Sequence, residues 1–250
     1  MKTEPLKELV AGLDVQTDLW WLAMILSGFL STFLAAFEFR GAGAFFIYLA
    51  VFIRIAIAAG ISQQPFGAVF GKLLPLGLVA GLFSIFGDHM MVNWIEPDRG
   101  QRIYPEHTGV LLSSPIYIPL YWTCAVIEFG YMILRIWGLV SSLLAADAAL
   151  GVTMIAGGIL AAVWTACTDF WAVKAGWWSY RPGVAILGGA CALYVVMSAF
   201  FVFAAFLPIF ARYLACAGGR VYASVRYGAI FGTIIFLSYL ASHLLVEKRL

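Results

Sequence analysis

Charge is what this sequence has least of. Asp, Glu, Lys and Arg make up 11% of its 250 residues, and hydrophobic residues make up 63%. A soluble domain averages roughly 25% charged and 45–50% apolar residues. A water-soluble fold of this length could not hide so much apolar surface, whereas lipid solvates it directly. The formal net charge of +2 leaves no basic footprint for nucleic acid. Histidine is limited to three residues, so the histidine-rich boxes of membrane di-iron oxygenases are missing. The four cysteines, Cys124, Cys167, Cys191 and Cys216, contain no C-x-x-C pair, which argues against a zinc framework or a disulfide scaffold. They read as small residues for burial. There is no G-x-x-x-x-G-K-[ST] loop for a nucleotide and no D-D-x-x-D run for magnesium and a diphosphate. The last apolar run has no lysine for a retinal Schiff base. Neither a metal nor a cofactor is expected.

What is there is a series of apolar runs, each near the ~20 residues that span a bilayer. They cover about 18–39, 41–61, 66–95, 113–138, 145–171, 182–211 and 224–246. The expected fold is therefore an all-α integral membrane protein, a bundle of about seven transmembrane helices. It forms a single domain over 1–250, with a short amphipathic or irregular lead at 1–17 and a tail at 247–250. The lead is too polar for a cleaved signal peptide. Pro75 inside the third run predicts a kink or tilt. Short connections make sequential helices antiparallel neighbours, and the longest connection, 96–107, is polar. Lys and Arg divide evenly between the two sides, so they do not fix orientation. The basic, acid-free stretch Arg212–Arg226 favours an N-inside arrangement, in a cell inner membrane.

Ionisable residues at membrane depth are costly and mark function. Arg54, Asp88 with His89, Glu128 and Asp169 qualify. Asp147 reads as a solvated helix start, Glu38-Phe39-Arg40 as a solvated helix end, and His243 as an interfacial polar residue. Around Asp88, helical spacing puts His89 and Asn93 on one adjacent face. The fourth run carries Ser114, Tyr117, Tyr121, Cys124, Glu128, Tyr131 and Arg135 at alternating spacings of three and four, which is one face of a helix. Such a face belongs inside the bundle, where it either holds a site or joins helices by hydrogen bonds. Arg54 is the natural counter-ion for one of the acids. Asp169 precedes Lys174-Ala175-Gly176-Trp177-Trp178-Ser179-Tyr180-Arg181, which reads as an interfacial aromatic belt with snorkelling cations.

Buried acids among abundant aromatics, without a metal motif, suit carbocation chemistry. An acid protonates an alkene or epoxide, aromatic faces stabilise the cation, and a second carboxylate removes a proton or positions water. Asp88, Glu128 and Asp169 are the candidate catalytic residues. Arg54, His89, Asn93, Tyr117, Tyr121, Trp122, Tyr131 and Trp171 are the candidate lining of a lipophilic substrate site. The sequence does not decide between Asp88 and Glu128 as proton donor. The other function open to paired midplane charges is a small proton- or ion-coupled transporter or lipid-binding membrane protein.

One stretch carries a family likeness. Gly87-Asp88-His89-Met90-Met91-Val92, then Tyr104, then Gly109-Val110-Leu111-Leu112-Ser113-Ser114-Pro115-Ile116-Tyr117-Ile118-Pro119-Leu120-Tyr121-Trp122, resembles the membrane carotenoid hydratases and the heterodimeric-type lycopene cyclases. Asp169 followed by Gly176-Trp177-Trp178-Ser179-Tyr180 is similar to a later acid motif of those families. The size and helix count resemble the membrane-integral meroterpenoid cyclases. Asp88 stands where those families carry a glutamate, and the Pro-x-Glu-Glu motif of the lycopene cyclases is absent. The resemblance implies an isoprenoid substrate and paired acids at Asp88 and Asp169. The ends of the third and fifth runs also repeat faintly: Asp88, Trp94 and Tyr104 echo Asp169, Trp171 and Tyr180.

Overall fold

A computed structural model describes residues 4–37, 43–95, 100–105 and 109–247. Glu38-Phe39-Arg40 lies outside the described residues. Helices dominate, in the order α1 Glu4–Ala11, α2 Val15–Phe37, α3 Gly43–Ile61, α4 Phe70–Met90, α5 Tyr117–Leu143, α6 Ala146–Lys174, α7 Leu193–Ala204, α8 Phe206–Leu214 and α9 Arg220–Glu247. Seven segments are long and apolar enough to cross a membrane: α2, α3, Pro65–Ile95 containing α4, α5, α6, α7 with α8, and α9. The protein is a multi-pass helical membrane bundle. Leu26, Leu30, Phe52, Leu82, Ile155, Ile159 and Leu237 all stay exposed, which only a hydrocarbon solvent tolerates on so many helices at once.

The lead is a helix rather than an irregular segment. In α1 Leu6 and Leu9 are buried while Glu4, Lys7 and Glu8 are exposed, so the helix lies with one apolar face on the bundle. Asp14 then starts α2 by accepting the Thr17 backbone N–H at 2.8 Å, a side-chain cap on an otherwise orphaned donor.

α4 is the central helix, packed by α5 on one side and α9 on the other. Pro75 lies inside it without ending it. Small residues set both contacts. A Cβ on Gly81 would sit 2.0 Å from the Pro119 carbonyl oxygen of α5, and one on Gly232 of α9 would sit 3.0 Å from the Ala80 carbonyl oxygen. In lipid no hydrophobic force draws helices together, so such close backbone approach supplies much of the attraction. Gly81→Val is expected to force α4 and α5 apart and cost about 1–3 kcal/mol, the usual range for overpacking. A thermal melt in detergent checks this, and Ser84→Ala on the same helix serves as the control.

The antiparallel succession brings the C-terminal ends of α4, α6 and α9 to one end of the bundle with the starts of α5 and α7. Three two-stranded pieces lie at this end. β1 Arg102–Ile103 pairs antiparallel with β4 Ser179–Tyr180, β2 Val110–Leu111 with β3 Ser114–Pro115, and β5 Ala185–Ile186 with β6 Cys191–Ala192. The sixth span therefore starts at Leu193 rather than at Pro182. The intervening residues form the β5–β6 hairpin, which turns through Leu187, Gly188 and Gly189 at positive φ. The fourth helix likewise starts at Tyr117, not Ser113.

Candidate functional site

The centre of the site is a residue that the sequence places in the polar connection 96–107. α4 runs into a π-helical turn, Met91–Ile95. The chain then comes back as β1, and its register sets Arg102 opposite Tyr180. The Arg102 guanidinium donates to the Tyr180 hydroxyl at 2.9 and 3.2 Å and lies 4.9 Å over the Trp178 ring. Tyr180 in turn donates to Asp169 Oδ2 at 2.5 Å, and the Cys191 thiol approaches the same oxygen at 3.5 Å. On the other flank, Ser114 donates to Asp88 Oδ2, and Asp88 lines a chamber with Arg102. One cation thus stands between two carboxylates from different helices. The two loops that the faint repeat equates are the ones that pair as β1 and β4.

Electrostatics hold this arrangement in one charge state. Burial opposes a charge on Arg102, but Tyr180, Tyr104 and Asp169 overcome it and raise its pKa well above the usual guanidinium value. Burial pushes the Tyr180 phenol well up, so it stays a neutral donor. The Cys191 thiol is also pushed up, first by burial and then by Asp169. A neutral thiol is a poor nucleophile, so Cys191 acts here as a weak donor.

Three small chambers run inward from this point. The first, about 30 Å³, is lined by Asp88, Arg102, Trp122, Tyr194 and Tyr239 among others. The second, about 40 Å³, lies past Arg102, Trp122 and Tyr239 and includes Asp169, Trp164 and Trp178. The third, about 70 Å³, shares Tyr121, Trp164, Thr168 and Trp178 with the second and holds Arg54 and Glu128. A water needs only ~10–15 Å³ by this kind of measure, so each chamber takes one or a few waters, or the end group of a longer molecule.

At the inner end Arg54 donates through Nε and Nη2 to both Glu128 oxygens. Their side chains are 11% and 3% exposed. Arg54 lies eleven residues past Gly43 in α3, and Glu128 eleven past Tyr117 in α5. At ~1.5 Å per residue this is about 16 Å into the bundle, half of a ~30 Å hydrocarbon core. Gly28 of α2 makes room, since a Cβ there would be 3.0 Å from the guanidinium carbon.

The polar stripe of α5 faces inward from Ser114 to Tyr131, while Arg135 is exposed. Ser114 reaches Asp88, the Tyr117 hydroxyl donates to the Trp177 carbonyl at 3.4 Å, and Tyr121 lines two chambers. Cys124 approaches the Val51 carbonyl at 3.8 Å. The stripe's lower end serves a different purpose. Tyr131 donates to Asp18 at 2.7 Å, and Arg135 pairs with Asp18, tying α5 to the start of α2 away from the chambers. Trp122 and Trp171 line chambers. His89 and Asn93 gather on Ser113 at 2.9 and 2.6 Å, nearer the surface than the chambers.

Several expectations change. Trp177 and Trp178 are buried at 4% and 3% and form no surface belt. The Lys174 ammonium lies 4.4 Å over the Phe170 ring. His243 is buried against the Tyr194 ring rather than interfacial. Cys167 is exposed where burial was expected, while Asp147 is exposed as anticipated. The sixth and seventh spans contribute Tyr194 and Tyr239 to the chamber walls. Among the described residues no three of His, Cys, Asp or Glu come together in a way that could hold a metal ion.

A family model described as "Domain of unknown function (DUF6989)" matches residues 85–246. That is more than half of the chain, and the chain belongs to this family. The matched region holds Asp88, Arg102, Glu128 and Asp169, while Arg54 lies outside it. No curated protein and no solved structure matches.

Proposed function

We propose that this member of the DUF6989 family is a membrane-embedded isoprenoid enzyme, a cyclase or hydratase that moves protons between Asp88, Asp169 and a lipophilic substrate. The supporting observation is the pair of carboxylates flanking Arg102 in chambers walled by Trp122, Trp164, Trp178 and Tyr239. Glu128, held at both oxygens by Arg54, takes the role of fixed counter-ion rather than proton donor. Asp169 receives Tyr180 and Cys191 and is assigned as the proton acceptor. Asp88 receives Ser114 and is assigned as the donor. The Asp88 proton adds to an alkene carbon, whose π electrons form the new C–H bond and leave a carbocation. The aromatic faces stabilise that cation. Asp169 then takes a proton from the adjacent carbon, giving a shifted alkene, or from a water that has added, giving an alcohol; where a second double bond of the same chain first attacks the cation, its π electrons form the ring C–C bond, the charge passes to its far carbon, and proton loss beside that carbon gives a cyclised alkene. Water-sized chambers favour holding the end group while the chain stays outside.

The route in is the seam between α2 and α6. Phe29 of α2 and Cys167 of α6 both line the deepest chamber and both are exposed. In a Cys216→Ala background, a membrane-permeant maleimide on Cys167 should abolish turnover, and bound polyene should slow the labelling. Labelling at full rate with no loss of turnover would close this route.

The central test is to extract lipid from the purified protein and identify it by mass spectrometry. The protein is then incubated with the recovered polyene, or a panel of polyenes and their epoxides, in deuterated water. Deuterium in a cyclised or hydrated product supports the reading, and its absence across the panel opposes it. The chambers' shared walls favour one other reading, a proton relay coupled to transport. Proton flux in proteoliposomes without any product would support that alternative.

A further inference from the structure

A wide cleft lies at the opposite end from Asp88 and Asp169. It measures about 840 Å³ and is bounded by α1, the 3-10 turn Pro65–Ala68, and the ends of α4, α8 and α9. Its cations are Lys72, half-buried near the start of α4, and Arg220, the exposed first residue of α9. Lys72 feels the charges of both Arg220 and Glu8. The Arg220 guanidinium lies against α4, with Nη2 3.0 Å from where a Gly71 Cβ would be. Neither cation is ion-paired among the described residues. Glu8, on the exposed face of α1, is the acid that lines the cleft. Glu8 sets one negative charge against these two positive ones, which leaves the cleft with a net positive charge that a further anion would offset.

Depth bears on the kind of anion. Arg220 opens one spanning segment and Lys72 lies near the start of another, where a bilayer of ordinary thickness would present its lipid headgroups. Phe66 and Leu214 add apolar wall. We propose that this cleft binds a phosphate group, esterified to a lipid or free, with Lys72 and Arg220 on its oxygens. Arg220 supplies the planar two-point contact and Lys72 the point charge. Glu8 opposes the ligand and limits its affinity. This site is separate from the carboxylate chambers and does not depend on the chemistry assigned to them.

The test is thermal unfolding of the full chain in detergent, titrated in turn with phosphatidic acid, phosphatidylcholine and pyrophosphate. Phosphatidic acid should raise the midpoint and phosphatidylcholine should not. Pyrophosphate acting as well as the lipid would support the site with a soluble phosphate as its ligand. Arg220→Ala and Lys72→Met should each raise the apparent Kd roughly tenfold, about the loss of one charge-assisted hydrogen bond. Glu8→Gln lies on an exposed helix face where folding tolerates it, and should lower Kd about two- to threefold. No response to any phosphate, a response equal in Arg220→Ala, or no gain in Glu8→Gln would each overturn the proposal.

Discussion

Glu128→Gln is expected to cost the folded bundle about 3–5 kcal/mol, and adding Arg54→Met in the same chain should restore most of that loss. The two side chains form a bidentate pair at 11% and 3% exposure. Removing one charge leaves the other in a low-dielectric interior without a counter-ion. Removing both leaves no buried charge, and Met fills the space of the Arg54 side chain by virtue of its flexibility. The single variants should therefore be the less stable ones, and the double variant should approach the parent. Yield of monodisperse protein and the melting midpoint measure this directly. If the double variant is as unstable as either single one, the pair contributes through packing rather than charge. If folding is intact but turnover disappears in the double variant, Glu128 and Arg54 serve the substrate as well as the fold.

The second large effect is expected at Arg102. Arg102→Gln should reduce turnover about 10²–10⁴-fold, the range associated with loss of a positioned acid or base. It removes both donors to Tyr180 and the charge between Asp88 and Asp169. Arg102→Lys keeps the charge but cannot both fork onto one phenol oxygen and stack on Trp178, so it should recover only part of the loss. Asp169→Asn should resemble Arg102→Gln. Combining the two should add little, because groups that act as a unit are not additive. The readout is deuterium incorporation into the product, with the melting midpoint as a check on folding. Full additivity would separate Arg102 from Asp169.

What could be read in the sequence differs from residue to residue. Asp88, Glu128 and Asp169 stand out because an ionisable group in an apolar run has no cheap explanation. The α5 stripe is legible because a helix turns spacing into a face without help from distant residues. Arg54 as a counter-ion follows from the same reasoning. Arg102 gives no such signal. A cation between Gln101 and Tyr104 in a polar connection looks the same whether it points to water or to the core. Its direction is decided by β1 pairing with β4, two residues long and distant in sequence. Trp177 and Trp178 mislead for a related reason. Aromatics beside Lys174 and Arg181 match an interfacial belt in composition, and only the tertiary fold buries them. Composition starts the sixth span too early because Pro182 to Ala192 is apolar enough to continue a helix, while the glycines at 188 and 189 turn a hairpin.

The position of Arg102 also bears on how the chain enters its membrane. Orientation is decided as the chain is inserted, by Lys and Arg presented in the connections. At that moment Arg102 counts as a loop charge, because Tyr180, its hydrogen-bond partner, lies 78 residues downstream and has not yet been translated. It can leave the water only after α6 and the turn beyond it are in place. The nascent chain and the finished protein therefore display different charges at the same bilayer surface. A charge carried in a connection during insertion is later drawn in, partly buried against Tyr180 and Trp178.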